Sequence, residues 1–309
     1  MKPSLTLGPV LFNWSVDRWC DFYARIADEA PVDTVVVGEI VCHKRAPFFA
    51  VAMQSVVERL AAAGKTVWLA SPILVGSERE RAAMRELVSP GNALSDATMI
   101  EANDMGALAL LAGRPHAVGP TINVYNEATL GWLAGRGAVA VSLPAELPAA
   151  SVAALAKAAA GVGTAVEVQA WGRAPLAISA RCYHARAHGL HKDGCQFVCA
   201  GDPDGMPVAT MDGQPFLTVN GTQTLSHGYL CLAEELEELT AMGVGRFRLS
   251  PQVVDMVRVA EAFRDLLDGR REGGAVAAEL AGLTEAPLVN GFFHDSAGAR
   301  RIVGASHRV

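Results

Sequence analysis

The sequence lacks a basic excess, a long apolar run and a leader-like N-terminus. Its 26 Lys and Arg residues face 32 Asp and Glu residues, so the net charge of -6 does not attract the phosphates of bulk nucleic acid. No apolar run approaches the roughly 20 residues that cross a bilayer, and the Ala-rich stretch 149–160 is broken by Lys157. Residues 1–9 show no apolar core of a signal peptide. We expect a cytoplasmic protein with no membrane span and no nucleic-acid partner.

The sequence also lacks C-x2-C cysteine pairs, which build structural zinc sites, and a Gly-rich phosphate loop after its first strand. Its six cysteines do not indicate a disulfide framework, because a reducing cytosol keeps thiols free. Three interpretations of the thiols remain, which are buried apolar residues, a nucleophile and metal ligands.

What the sequence does contain is a series of short strand-like runs, each followed by a helical pattern. The predicted strands are 4–7, 34–38, 66–70, 98–101, 116–119, 138–142, 165–168 and 246–250. The predicted helices are 17–29, 47–63, 77–87, 105–112, 126–136, 149–161, 225–242 and 251–267, the last with Ser250 as its N-cap. Strands that alternate with helices and are apolar on both faces predict an α/β fold, a (β/α)8 TIM-like barrel. No linker divides the chain, so we expect a single barrel domain over residues 1–309.

Residues 176–224 do not fit one strand–helix unit, and we interpret them as an insertion after strand seven. The insertion begins with a cysteine-rich stretch, 181–199, and then has a hairpin-like run, 207–219, with a turn signal at Asp212-Gly213. Loops that follow barrel strands lie at the carboxyl end of the barrel, where the sites of this fold are built. Residues 269–309 are expected to form a tail packed on the barrel or on a partner.

Four cysteines are candidates for one site. Cys182, Cys195 and Cys199 belong to the insertion, and Cys42 follows strand two by four residues. Because both loops lie at the carboxyl end of the barrel, their thiols can converge. Four thiolates suit either a structural zinc ion or an iron–sulfur cluster. The unequal spacing favours the cluster.

The remaining cysteines and the loop histidines are expected to have ordinary roles. Cys20 and Cys231 lie in apolar helical patterns and are interpreted as buried apolar residues. The spacing of His184, His188 and His191 matches no common zinc site, so we expect exposed loop side chains.

Charged residues near the thiols predict a further site at the barrel mouth. The candidates are Glu39, Lys44, Arg45 and Arg181. The cations among them can offset the negative charge of a cluster or hold an acidic ligand, and a solvated charged face is the alternative. A nucleophile built from Cys42 and His43 is disfavoured, because adjacent side chains at a strand end point apart.

Several segments carry a resemblance to a known family. They are residues 7–11, 38–45, 100–104, 179–182, 219–224 and 248–252, together with the Cys195 and Cys199 pair. On these segments the sequence resembles the collagenase-like peptidase family over nearly its whole length, and within it the branch that takes part in ubiquinone (coenzyme Q) biosynthesis.

The resemblance implies a protein that binds a [4Fe–4S] cluster through Cys42, Cys182, Cys195 and Cys199, with Cys231 as a reserve ligand. It also implies a heterodimer with a homologous subunit, and a part in the oxygen-independent hydroxylation of a ubiquinone precursor under anaerobic conditions. Two alternatives stay open. One is a structural or assembly partner whose cluster only orders the loop, and the other is a collagenase-like peptidase, for which no activated nucleophile or catalytic zinc motif can be assembled.

Overall fold

The structure is a computed structural model that describes residues 3–90 and 98–304. Residues 305–309 of the expected tail lie outside the described residues. Eight strands form one parallel barrel: β1 (Ser4–Leu7), β2 (Thr34–Val37), β3 (Thr66–Ala70), β4 (Met99–Ala102), β5 (His116–Val118), β6 (Ala138–Ser142), β7 (Ala165–Ile178) and β11 (Arg246–Leu249). Neighbours in this order pair in parallel, and β11 pairs with both β1 and β7. The ring is therefore closed, and the predicted (β/α)8 barrel is confirmed.

Helices follow the barrel strands and bury apolar residues against them, and one further helix, Tyr183–Ala187, lies in the insertion. They are α1 (Val16–Glu29), α2 (Ala46–Ala62), α3 (Glu78–Val88), α4 (Met105–Leu111), α5 (Glu127–Ala134), α6 (Ala149–Val162), α7 (Tyr183–Ala187), α8 (Leu236–Ala241), α9 (Met256–Leu267) and α10 (Gly273–Ala281). In α1, for example, Trp19, Tyr23 and Ile26 are buried against the strands. Among the helices of residues 3–90 and 98–304, none has both the length and the apolarity needed to cross a membrane.

Strand β7 is much longer than the other barrel strands and carries a second, antiparallel sheet. Its outer half pairs with β10 (Gln223–Cys231), which pairs in turn with β9 (Pro215–Asn220) and, through it, with β8 (Met206–Ala209). The hairpin predicted over 207–219 is confirmed, with Gly213 at a φ of 80° in its turn. This sheet holds the inserted loops against one side of the barrel mouth.

Two predicted helices have the wrong extent. The helix predicted over 225–242 is wrong in its first half, where β10 runs to Cys231 and only Leu236–Ala241 is helical. The pairing of β10 with the extension of β7 is a long-range contact, which overrides the local helical pattern. The last barrel helix begins at Met256 rather than 251, because Asp255 and not Ser250 caps it, accepting a hydrogen bond from Val257 N at 3.1 Å.

The described part of the tail packs back on the outer sheet. It contains α10 and the short strand β12 (Leu288–Val289), which pairs in parallel with Tyr229 and Leu230 of β10. Asn290 is fully buried and donates to Glu235 Oε1 at 2.7 Å. The division of 1–309 into one domain with the insertion 176–224 and the tail 269–309 stays a prediction.

The centre of the barrel contains a buried ion cluster. Arg248 donates from Nε to Glu167 Oε1 at 2.7 Å and from Nη2 to a carboxylate oxygen of Glu101. Ser142 Oγ donates to Glu167 Oε1 at 2.5 Å. Burial alone would raise the pKa of Glu167, but the Arg248 and Arg246 guanidiniums and the Ser142 hydroxyl bring it to about 2. Glu167 is therefore a buried carboxylate that stays charged.

Candidate metal centre

The four candidate thiols are positioned by short, irregular elements. Cys182 is the N-cap of α7, and its Sγ accepts a hydrogen bond from Ala185 N at 3.4 Å. Two 3-10 turns, Lys192–Gly194 and Val198–Gly201, place Cys195 and Cys199. Cys42 directly precedes the 3-10 turn His43–Arg45, which leads into α2. Short turns allow thiols at unequal spacing to face one point.

These thiols line one cavity. The residues around it are Cys42, Arg45, Cys182, His184, Ala185, Lys192, Cys195, Phe197, Val198, Cys199 and Gly221. Cys199 is buried, with 8% of its surface exposed, and the other three thiols are half-buried. The sequence prediction that Cys42 lies near the cysteines of the insertion thus agrees with the structure.

Hydrogen bonds between the insertion and the loop after β2 explain why Cys42 reaches this cavity. Thr222 Oγ1 donates to Val41 O at 2.9 Å, and Arg45 Nη2 donates to Asn220 Oδ1 at 3.2 Å. Thr222 and Asn220 lie at the turn between β9 and β10. The antiparallel sheet therefore positions the insertion directly against the cysteine of the second barrel loop.

The four thiols share the lining of one cavity. Within residues 3–90 and 98–304, no group of three or more His, Cys, Asp or Glu side chains is close enough together to hold a single metal ion. Thiols are soft ligands that select zinc, copper(I) or iron–sulfur clusters. In a cluster each thiolate binds a different iron atom, so its four cysteines surround the cluster instead of meeting at one ion. The donor set, four thiols lining one cavity, fits the ligand chemistry of such a group.

Arg45 and Glu39 lie buried beneath the thiols. Glu39 Oε1 accepts hydrogen bonds from Val41 N and Cys42 N, both at 2.9 Å, and Glu39 Oε2 is 3.9 Å from Arg45 Nη1. Burial raises the pKa of Glu39, and the Arg45 charge opposes that effect. Burial likewise raises the pKa of the Cys42 thiol against the effect of Arg45. The Arg45 guanidinium thus favours the charged forms of Glu39 and Cys42.

The other two barrel-mouth candidates take different places. Lys44 Nζ donates to Lys192 O at 2.6 Å and lies 3.7 Å from an Asp193 carboxylate oxygen, which ties the loop after β2 to the insertion. Arg181 is exposed and does not line the thiol cavity. Of the four predicted residues, Glu39 and Arg45 belong to the centre, Lys44 to its rim and Arg181 to the surface.

His184 was expected to be exposed, and that expectation is wrong. Its side chain is fully buried and lines the thiol cavity, with Nε2 2.7 Å from Asp202 Oδ2. Its ring stacks on His188 at 5.6 Å between centroids. Burial is the largest influence on its pKa and lowers it. The sequence signal for the contact between the two rings was the i, i+4 spacing of His184 and His188. His188 and His191 are exposed, as expected.

Cys231 and Cys20 lie apart from the four thiols. Cys231 is fully buried in β10, where burial raises its pKa to about 12, and it does not line the thiol cavity. It lies in a strand, not in the helix that the sequence suggested. Cys20 packs at the edge of the core on α1. The structure therefore gives the reserve ligand a packing role.

A second cavity lies at the barrel mouth, and sequence analysis missed the polar side chains in its lining. Its volume is about 30 Å³, and its lining includes Gly8, Thr121, Gln169, Arg173, Gln223 and Arg248. These residues come from distant strands and loops, so nothing in their local sequence marks them as neighbours. Gly8, Gln223 and Arg248 fall in segments of the family resemblance, but none of them was predicted as a site residue.

This protein is a closed (β/α)8 barrel. A thiol-lined cavity lies between its second loop and a cysteine-rich insertion. The sequence profile of peptidase family U32 matches residues 21–302, and the chain belongs to that family. The chain is also similar to the solved structure of the U32 peptidase Mk0906, with 13% identity, 82% of this chain and 94% of that chain covered, and a TM-score of 0.46. The resemblance to the collagenase-like peptidases is confirmed at the level of the family.

Proposed function

We propose that this chain is an iron–sulfur subunit of the UbiV kind, which binds a [4Fe–4S] cluster through Cys42, Cys182, Cys195 and Cys199. It acts with a UbiU-like homologous subunit in the oxygen-independent hydroxylation of a ubiquinone precursor under anaerobic conditions. One observation carries the cluster: the four thiols line a single cavity, whereas Cys231 does not.

The charges around the cavity support a cluster. Four thiolates bring more negative charge than the iron and sulfide core balances, so a cationic neighbour is favourable. Arg45 and Lys192 both line the cavity. Asn13 Nδ2 donates to Cys199 Sγ at 3.4 Å, and hydrogen bonds to sulfur tune cluster potentials. When bound, a [4Fe–4S] cluster supplies a one-electron redox centre.

The substrate and the partner rest on the family resemblance in the segments around Cys42, Cys182 and Arg248. The barrel mouth has a polar cavity beside the thiol centre, since Leu11 lines the mouth while its carbonyl accepts from Arg45 at 2.9 Å. The carboxyl end of the barrel is where this fold places its reactants. The proposed redox centre therefore lies at the end of the barrel where a substrate is expected to bind.

Two alternative functions lead to different results. In a structural or assembly role, the cluster would only order the insertion, and exchange of Glu39, Lys44 or Arg45 with the cluster intact would leave anaerobic ubiquinone production unchanged. A peptidase would cleave peptides as the isolated chain. In the described residues no hydrogen bond joins a thiol to a histidine ring, so the peptidase reading gains no support from the geometry.

Anaerobic purification followed by iron, acid-labile sulfide and zinc assays tests the proposal. We expect a coloured protein with about four iron and four sulfide per chain, as the cluster requires. Cys182→Ala removes the cluster absorbance, whereas the matched controls Cys20→Ala and Cys231→Ala keep it. Colourless protein with one zinc per chain and no acid-labile sulfide would contradict the cluster.

A second experiment tests the pathway. Deletion of the gene in a host that makes ubiquinone without oxygen is expected to stop anaerobic but not aerobic ubiquinone synthesis, and wild-type protein restores it. Cys182→Ala protein does not restore it, while Cys20→Ala protein does. Restoration by the Cys182→Ala protein would separate ubiquinone synthesis from the cluster.

A further inference from the structure

Arg45 is a buried cation with no carboxylate of the described residues within hydrogen-bond distance. Only 1% of its surface is exposed. Nη1 donates to Leu11 O at 2.9 Å, and Nη2 donates to Asn220 Oδ1 at 3.2 Å, so both of these acceptors are uncharged. Its carboxylate neighbour, Glu39, is 3.9 Å away, and the buried Nε has no hydrogen-bond partner in the described part of the chain. Such a charge is costly unless a further negative group faces it.

The groups that face Arg45 on its open side are thiols. Arg45 lines the cavity together with Cys42 and Cys199. Burial is the largest influence on the pKa of Arg45 and lowers it, but the charges of Glu39, Cys199 and Cys42 oppose burial, and the pKa is raised overall. The Glu39 carboxylate is itself shared, because its other oxygen accepts from two backbone N–H groups. The remaining positive charge is therefore directed at the thiol cavity.

The position of the guanidinium is fixed from the side of the barrel mouth. Asn220 Nδ2 donates to Leu11 O at 2.7 Å and to Gln223 Oε1 at 3.3 Å, and Gln223 lines the mouth cavity. A Cβ atom added at Gly221 would lie 2.8 Å from Arg45 Nη2. Arg45, Asn220 and Gln223 thus form a buried polar bridge between the two cavities.

We propose that Arg45 is the buried positioning residue that sets the charge of the thiol cavity, and that Asn220 and Gln223 hold it in place from the barrel mouth. The effect on a cluster rests on the proposed function. A thiolate-bound cluster that accepts one electron from dithionite gains one negative charge, and a fixed cation stabilises that reduced form more than the oxidised form. Arg45 therefore raises the reduction potential.

A dithionite titration of the holoprotein, followed by optical and EPR spectra, measures this effect. Arg45→Met is expected to lower the equilibrium constant for reduction at least tenfold, which is about 59 mV for one electron. Arg45→Lys keeps the charge and restores most of the potential. Arg246→Met is the matched control, since it removes a barrel cation paired with Glu167 at the amino end of β11, and it leaves the potential unchanged. A wild-type potential in Arg45→Met would overturn the proposal.

A separate variant, Asn220→Leu, tests the polar bridge of Arg45, Asn220 and Gln223. Asn220→Leu breaks the hydrogen bonds to Arg45 and Gln223, and Asn220 does not line the thiol cavity. We expect a potential shift in the same direction as for Arg45→Met but smaller, with full iron content. An unchanged potential would overturn the positioning role of the bridge.

A measurement without a cluster separates this proposal from the proposed function. If the wild-type protein binds no iron, the cluster proposal fails, but the charge proposal is still tested by the rate at which iodoacetamide alkylates Cys42 in the apoprotein at fixed pH. Arg45→Met slows this rate several-fold, while Arg45→Lys and Arg246→Met do not. Equal alkylation rates in the wild type and the three variants would overturn the charge proposal. Arg45→Gln replaces Arg45→Met if the latter does not fold.

Discussion

The two buried arginines Arg248 and Arg45 differ in the carboxylates that surround their guanidinium groups. Arg248 is 5% exposed and pairs with two carboxylates, Glu101 and Glu167. Arg45 is buried more deeply, yet the one carboxylate within 4 Å of it in the described residues lies at 3.9 Å. The positive charge of Arg248 is matched by carboxylates of the barrel, and that of Arg45 is not.

The difference separates an ion cluster with matched charges from a buried cation without a close carboxylate. A buried pair contributes to a unique fold when its hydrogen bonds are satisfied, and removal of one partner is costly. A buried cation left partly unmatched beside four thiols instead favours an anionic occupant. The comparison therefore predicts that changes around Arg248 alter stability, whereas changes around Arg45 alter the properties of the thiol centre.

The largest expected effect on stability is that of Arg248→Met. It leaves the carboxylates of Glu101 and Glu167 buried with fewer partners, so the free energy of unfolding is expected to fall by about 3–5 kcal/mol. Urea unfolding followed by circular dichroism measures it. Arg59→Met, which removes a surface pair with Asp28, is expected to cost about 1 kcal/mol or less. Equal losses in the two variants would contradict the structural role of the barrel cluster.

The same cluster predicts how stability depends on pH. The pKa of Glu167 is about 2 in the folded protein, against an ordinary value of 4.5, chiefly because Arg248 and Arg246 outweigh the effect of burial. A group with a lowered pKa stabilises the fold fully above its unfolded value, and the stabilisation is lost as the pH falls toward the folded value. Thermal unfolding temperatures should therefore fall between about pH 5 and pH 2.

Two variants test that assignment. Glu167→Gln should flatten the acid-side fall in unfolding temperature, because its amide does not titrate. Glu261→Gln, at an exposed carboxylate on α9, should leave the fall unchanged. A wild-type profile in the Glu167→Gln protein would assign the acid sensitivity to other groups.

A smaller effect distinguishes backbone strain from contact with Arg45. Gly221 and Gly213 both have left-handed backbone, with φ values of 61° and 80°. An added Cβ at Gly221 meets the Arg45 guanidinium, whereas at Gly213 it meets nothing within 4 Å. Either substitution by Ala is expected to cost about 1–2 kcal/mol of stability. Only Gly221→Ala should also shift the spectrum and potential of the thiol centre, and a shift in Gly213→Ala would contradict that distinction.

Sequence predicts the barrel well because its strands are marked locally. Runs such as residues 34–38 are β-branched and buried on both faces, and all eight predicted strands are present with ends shifted by a residue or two, apart from β7. Strand β7 continues ten residues further, to Ile178, because β10 pairs along it. No local pattern shows that pairing, and the helix predicted over 225–242 failed for the same reason.

The thiol centre was predictable in part. Cysteines on polar loops are conspicuous, and the barrel topology was enough to bring Cys42 toward the insertion. The burial of His184 and the polar bridge through Asn220 were not predictable, because they depend on the path of the insertion over the loop after β2. Polar residues with no motif of their own become neighbours only in the folded chain.

The smallest expected effect concerns the hydrogen bond from Asn13 Nδ2 to Cys199 Sγ, 3.4 Å long. A donor to a ligating sulfur offsets part of its negative charge without adding a full charge, so Asn13→Ala should lower the cluster potential by less than Arg45→Met does, below about 59 mV. Asn126→Ala is the control, because it removes the N-cap of α5 and should cost about 1 kcal/mol of stability without changing the potential. If Asn13→Ala lowered the potential as much as Arg45→Met, the hydrogen bond and not the buried cation would dominate the electrostatics of the thiol centre, and the contrast between Arg45 and Arg248 would lose its functional meaning.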